Sequence, residues 1–175
     1  MKAAFFDLDR ALIRPEALWR RLGSLVGNAR PEVALHLRRQ AKALVAAHHW
    51  RGHVVVLITS GSAEWGQLAA NELDADGVLS VPPGADPGLW RGSAVRRFCH
   101  RYGFAAAASF GYGSQEADWL WLETLGHPSV VRPAGKLRQH ARKAVWPVVN
   151  LDRRSDVRPH AAAGAGAAPP CASLT

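Results

Sequence analysis

Two carboxylates, Asp7 and Asp9, stand two positions apart in FFDLDRALIR (residues 5–14), at the end of an apolar run from Ala3 to Phe6. Residues two apart in a strand point to the same side, so both side chains can share one site. Like charges held close raise the pKa of one member, which suits acid–base work near neutral pH. The plainer reading is a pair of turn residues after a strand. Other candidates are weaker. His48, His49 and His53 have no Cys or carboxylate at zinc spacing and read as imidazoles at a helix end. Cys99 and His100 are neighbours in a helical stretch, so they face different ways and form no nucleophile pair. The glycines show neither G-x-G-x-x-G nor P-loop spacing.

The elements that must position Asp7 and Asp9 alternate along the chain. Short apolar runs predict strands at about 3–8, 53–59, 77–81, 105–111, 129–132 and 146–150. HVVVLITS, continuous and β-branched, reads as a strand buried on both faces. Helical spacing follows Pro15 (Leu18, Leu22, Leu25) and Pro31 (Leu37, Ala41, Leu44, Val45), and each proline suits a first helical turn. Further helices fit 62–73, 91–102, 115–125 and 134–144. The alternation predicts one α/β domain over 1–152 with a mainly parallel sheet. Ligands of such sheets bind at the carboxyl ends of the strands, where Asp7 and Asp9 stand. Residues 153–175 carry Ala, Gly, Pro and charge without apolar periodicity, the composition of a disordered tail.

Composition narrows the setting. The 175 residues, 48% hydrophobic, suit one domain with a sizeable core. No apolar run reaches the roughly 18 residues of a membrane span, and Asp7 and Asp9 fall where a signal peptide would be apolar. Cys99 and Cys171 lie far apart and suit reduced thiols in a cytoplasmic protein. The net charge of +8 and pI near 10.5 invite a nucleic-acid reading. The arginines, however, are spread as pairs (Arg20-Arg21, Arg38-Arg39, Arg96-Arg97, Arg153-Arg154) with no helix-turn-helix or zinc-finger spacing. They read as solvated helix faces, so no specific nucleic-acid partner and no membrane partner are expected.

Together, FFDLDRALI, VVVLITSGSAEWGQLAANEL and SFGYGSQEADWLWLETLGHPSVVRPAGKLRQHARKAVWPVVNL resemble the haloacid dehalogenase (HAD) superfamily, in its phosphoserine-phosphatase-like (IB-like) branch. The likeness runs from residue 3 to about 151 and is most specific in GHPSVVRP, LRQHA and WPVV. It implies a Rossmann-like core with helices on both faces and a cap inserted after the first motif, here a small two-helix insertion over 14–51. It also implies phosphoryl transfer through an aspartyl-phosphate. On this resemblance Asp7 is the nucleophile, and Asp9 is the general acid toward the leaving oxygen and then the base on water. Mg²⁺ would be held by Asp7, the backbone carbonyl of Asp9, Asp118 and the Ser114 position. Ser60 would bind the phosphoryl oxygens, with Thr59 less favoured by register. Trp119 and Trp121 flank the fourth motif and read first as core and rim packing.

Four departures from the family pattern are visible. Arg10-Ala11 replaces the usual Gly-Thr after the second Asp, placing bulk where backbone must approach a phosphate. Ser114 replaces the first acidic residue of the fourth motif, leaving Asp118 four residues on. A neutral hydroxyl is a poor ligand for a hard cation, and Ser114 also reads as a helix N-cap; Glu116, though acidic, is offset to another face. The family's lysine before the strand at 105 is missing, and by register Ser93 takes its place. Arg91 or Arg96 could reach in, Arg91 as a phosphate ligand, against the ordinary reading of helix-face arginines. Finally, some 45 residues between Asp9 and the second strand leave a reduced cap and an open site. The implied function is a HAD-type phosphatase acting on a phosphate monoester through Asp7; the alternative is a catalytically silent HAD-fold protein binding a phosphorylated ligand or protein. The implied partner is a small phosphorylated substrate or a phosphorylated macromolecule.

Overall fold

In the computed structural model, which describes residues 1–14 and 36–152, the chain forms one six-stranded sheet with every pairing parallel. The strands are β1 (Ala3–Asp7), β2 (Val54–Thr59), β3 (Gly77–Ser80), β4 (Phe110–Gly113), β5 (His127–Val131) and β6 (Val148–Val149), in spatial order β3-β2-β1-β4-β5-β6. The helices are α1 (Ala41–Trp50), α2 (Ala63–Leu73), α3 (Pro87–Tyr102), the single turn α4 (Trp119–Leu122) and α5 (Gly135–Lys143). The α/β, mainly parallel expectation is therefore met.

Alternate residues of β1 build opposite faces, as a strand buried on both sides requires. Ala4 and Phe6 join Val45 of α1 and Trp65, Ala69 and Leu73 of α2 in one core cluster. Ala3 and Phe5 join Val95 of α3, Trp121 and Leu122 of α4 and Leu137 of α5 in the other. The helix caps follow from local chemistry. Ser62 accepts from Trp65 N at the start of α2, and Asp86 accepts from Leu89 N before Pro87 opens α3.

One predicted strand is displaced. Ala106–Ala108 forms a 3₁₀ turn, and the strand expected over 105–111 is β4, Phe110–Gly113. Glycine is a poor strand former in isolation, but a Cβ on Gly111 would sit 2.7 Å from Leu125 Cδ1 and 2.9 Å from Trp121 Cζ3. Close passage of α4 and the turn after it selects these glycines, so packing overrides propensity. Residues 15–35 of the cap expected over 14–51 lie outside the described residues, as do the segment 153–175 and Cys171; the last part of that stretch, α1, packs its Ala41 and Val45 into the core with β1. Cys99 is buried and free. No helix among the described residues is long and apolar enough to cross a membrane.

Candidate active site

The chain turns from β1 to β2 and β3 on one side, then crosses to β4, β5 and β6 on the other. The sheet thus reverses its winding beside β1, and the carboxyl ends of β1, β2 and β4 open on one crevice. Asp7 ends β1, Thr59 ends β2, and Ser114 follows β4.

Asp9 reaches the crevice by a different route from the one predicted. It does not continue the strand but lies in a π-type turn, Leu8–Leu12, closed by Ile13 N donating to Leu8 O. The strand ladder ends at Asp7, so same-side alternation does not explain the pairing of the two carboxylates. The turn does. It brings Asp9 over β2, where Thr59 Oγ1 donates to Oδ1 at 2.7 Å and Ser60 N donates to Oδ2 at 2.7 Å. Arg38 braces this turn by donating from Nε and Nη2 to the carbonyl of Arg10 while its Nη1 holds Asp152 at 2.7 Å.

Arg91 is the centre of the site. Its guanidinium, 1% exposed, donates to Asp118 Oδ1 at 2.5 Å and to Ser60 Oγ at 2.8 Å. It lies 3.8 Å from Asp7 Oδ1 and 3.7 Å from Asp9 Oδ2. Register placed Ser93 at the family's cationic position; instead Ser93 donates to its own helix at Trp90 O, and Arg91 holds the carboxylates. The solvated-face reading likewise fails for Arg91 and Arg38, both buried, while Arg96 and Arg97 are exposed as expected. Residue type alone does not tell a paired arginine from a solvated one.

Asp7 is fully buried, and its surroundings push its pKa up to about 8. Burial is the main cause, followed by the Asp118 charge; Asp9 adds to the effect, and Arg91 and the Ser114 hydroxyl oppose it. Ser114 does not cap the following turn. Gln115 does so, in a reciprocal capping box with Asp118, and Ser114 Oγ donates to Asp7 Oδ2 at 2.6 Å. Gln115, which the sequence did not single out, adds a longer contact to the same oxygen at 3.5 Å. Asp7 Oδ1 is buried with no hydrogen-bond partner, as is Arg91 Nε. The arginine's charge persists despite burial, because Asp7, Asp118 and Asp9 hold it above its ordinary pKa.

Whether the set fits a divalent cation can be tested on Asp118. Its Oδ1 accepts from Arg91 and from Trp121 Nε1, and its Oδ2 accepts from the backbone N–H groups of Ser114 and Gln115. Those four bonds use all four acceptor positions of a carboxylate. Ser114 is neutral and already donates to Asp7. Glu116 turns away to Lys136 at 3.1 Å. Among the described residues no group of three or more His, Cys, Asp or Glu is arranged to hold a metal ion. The expected set of Asp7, Asp9, Asp118 and Ser114 does not fit Mg²⁺ as it stands.

The remaining candidates resolve plainly. Trp121 is buried in the core and Trp119 sits at the rim. His48 packs inside, with Nδ1 2.9 Å from His53 Nδ1 and Nε2 2.9 Å from the Tyr112 hydroxyl, and burial lowers its pKa to about 4.

Comparison with known proteins agrees with this architecture. No family model matches the chain. A probable phosphatase of Mycobacterium tuberculosis is 27% identical over 141 residues, covering 74% of this chain and 49% of its own. The chain spans about half the length of the curated relatives it matches. Among solved structures, a phospho-aspartyl intermediate analogue of phosphoserine phosphatase superposes with a TM-score of 0.62 at 13% identity, over 87% of this chain and 94% of that one. A cobalt-bound deoxy-D-mannose-octulosonate 8-phosphate phosphatase from Haemophilus influenzae gives a TM-score of 0.62 at 13% identity, over 81% and 74%.

Proposed function

From a chain with the haloacid dehalogenase fold, we propose a phosphate-monoester hydrolase that works through Asp7. The observation that carries this reading is the state of Asp7 Oδ1: buried, unpartnered and 3.8 Å from the Arg91 guanidinium. A buried acceptor without a partner is costly in a structural carboxylate, whereas a nucleophile needs a free oxygen. Ser114 fixes the other oxygen, which orients the carboxylate.

In the first step the ionised carboxylate of Asp7 bonds to phosphorus through Oδ1 as the bond to the leaving oxygen breaks, and Asp9, in its protonated form, gives that oxygen a proton. In the second, Asp9 takes a proton from water as the water oxygen attacks phosphorus. The phosphoryl–Asp7 bond then breaks, inorganic phosphate leaves, and Asp7 is again a carboxylate and Asp9 again a protonated acid. Ser60 Oγ already accepts from Arg91, so its proton is the one it offers to a phosphoryl oxygen. Thr59, fully buried and bonded to Asp9, orients the acid and does not contact substrate. The phosphorylated substrate is small or macromolecular.

The expected outcome is slow release of inorganic phosphate from an aryl phosphate. Asp7→Asn should lower it by at least about 10³-fold, as loss of a covalent nucleophile does, and Asp9→Asn should lower it with an acid–base pH signature. Turnover equal in wild type and Asp7→Asn overturns the reading. The alternative, a silent protein binding a phosphorylated ligand, is favoured by the saturated Asp118 carboxylate. It is the outcome if phosphate binds without turnover.

A further inference from the structure

We propose that Arg91 takes the place of the divalent cation, so that this site engages a phosphoryl group with no metal ion. The inference rests on the phosphoryl-site reading above and concerns what meets the phosphoryl charge.

A cation ligated jointly by Asp7 and Asp118 would have to displace Arg91 from Asp118 Oδ1 or break the Ser114 and Gln115 N–H bonds to Oδ2. The first leaves a guanidinium buried without its closest partner, and removing one member of a buried pair is strongly unfavourable. The second undoes the capping box that shapes the turn after β4. On the other side, the Ser114 hydroxyl proton takes Asp7 Oδ2, and a cation at the remaining Oδ1 would meet the Arg91 guanidinium 3.8 Å away. The three carboxyl groups of Asp7, Asp9 and Asp118 already surround one guanidinium; an acidic residue at 114 would add a fourth and the need for a cation.

The donors left over have the sense an oxyanion needs. Arg91 Nε carries a buried N–H without a partner, and the Ser60 hydroxyl keeps its proton. Donors of this kind suit an anion oxygen and not a metal ion. Arginine suits the role because its planar fork holds a carboxylate and a phosphoryl oxygen at once and it remains charged when buried. Ser114 and Arg91, two apparent defects against the family pattern, thus act in one direction.

The test uses calorimetric titration of the full chain with two probes. Mg²⁺ alone should show no saturable binding below roughly 1 mM, the weak end of protein cation sites. Inorganic phosphate should bind with the same affinity, within about twofold, in chelator and in Mg²⁺, whereas Arg91→Gln should weaken it about tenfold or more, the scale of a lost charge-assisted bond. Should Arg91→Gln not fold, Arg91→Lys, which keeps the charge but not the fork, should still weaken phosphate at least about threefold. Saturable one-to-one Mg²⁺ binding, phosphate binding that requires Mg²⁺, or no phosphate binding in either buffer overturns the proposal. The two readings fail separately. Asp7-dependent turnover that needs Mg²⁺ keeps the hydrolase and removes the arginine substitution. Phosphate bound in chelator without Asp7-dependent turnover does the reverse.

Discussion

At the scale of single residues, Asp7 makes a contribution to stability that falls as pH rises. Its pKa is near 3.8 when solvated and about 8 in the fold. Between those values the unfolded chain releases the proton and the folded chain keeps it, so the unfolded state binds fewer protons and stability falls as pH rises. The favourable contribution is complete below about pH 4 and is lost as pH climbs through about 8. Asp7→Asn has nearly the same shape and does not ionise. It should match wild type near pH 4 and exceed it by more than about 1 kcal/mol at pH 8, the scale of one pKa unit or more. Urea melts of both proteins across that range check this, and parallel curves would show that Asp7 carries no such penalty. The family resemblance pointed to Asp7, Asp9, Ser60, Thr59 and Asp118, and the fold gathers these residues around Asp9 and Arg91. Sequence register misassigned Ser93 and undervalued Arg91, because a residue two positions along a helix is turned by about 200° and only packing shows which one faces the site.

At the scale of elements, the glycines around β4 and the end of α5 give the sharpest tests. A Cβ on Gly126 would stand 1.8 Å from the Ala107 carbonyl oxygen, so backbone itself must move. Gly126→Ala should cost about 3 kcal/mol or more, the upper range of overpacking, read from the denaturant midpoint. The opposite case lies just past α5, where Val145 holds a left-handed φ of 57° with its side chain 86% exposed. A β-branched residue is strained there and this one buries nothing in return. Val145→Gly should stabilise the protein by about 0.5–1 kcal/mol, the relief less the added freedom of the unfolded chain; unchanged stability would mean the strain is absorbed locally. Most element types were readable from periodicity. The boundaries of β4 were not, because the two glycines of FGYG weaken its strand signal and are held extended by close packing of α4 and the turns around it.

At the scale of the whole molecule, the far end of the domain closes onto the active-site loop. Leu151 is fully buried and its carbonyl accepts from Gln40 N. Asp152 binds Arg38, which in turn holds the Arg10 carbonyl beside Asp9. A chain ended after Asp152 should keep its thermal midpoint within a few degrees, since residues 153–175 have few apolar groups to bury. Ending it after Asn150 removes a buried leucine and the partner of a buried arginine. It should cost about 3 kcal/mol or more, and equal midpoints for the two truncations would remove Asp152 from this role. The α/β class, the order of strands and helices, and the place of Asp7 at the end of the first strand were all readable along the chain. Those follow from hydrophobic period and local spacing, properties carried by neighbours in the chain. That Asp9 arrives by a π-type turn, that Arg91 meets three carboxyl groups, that Ser114 serves Asp7, and that Arg38 reaches Asp152 emerged from packing alone. Each is a long-range pairing in which burial, not residue type, determines whether a charge is solvated or shared.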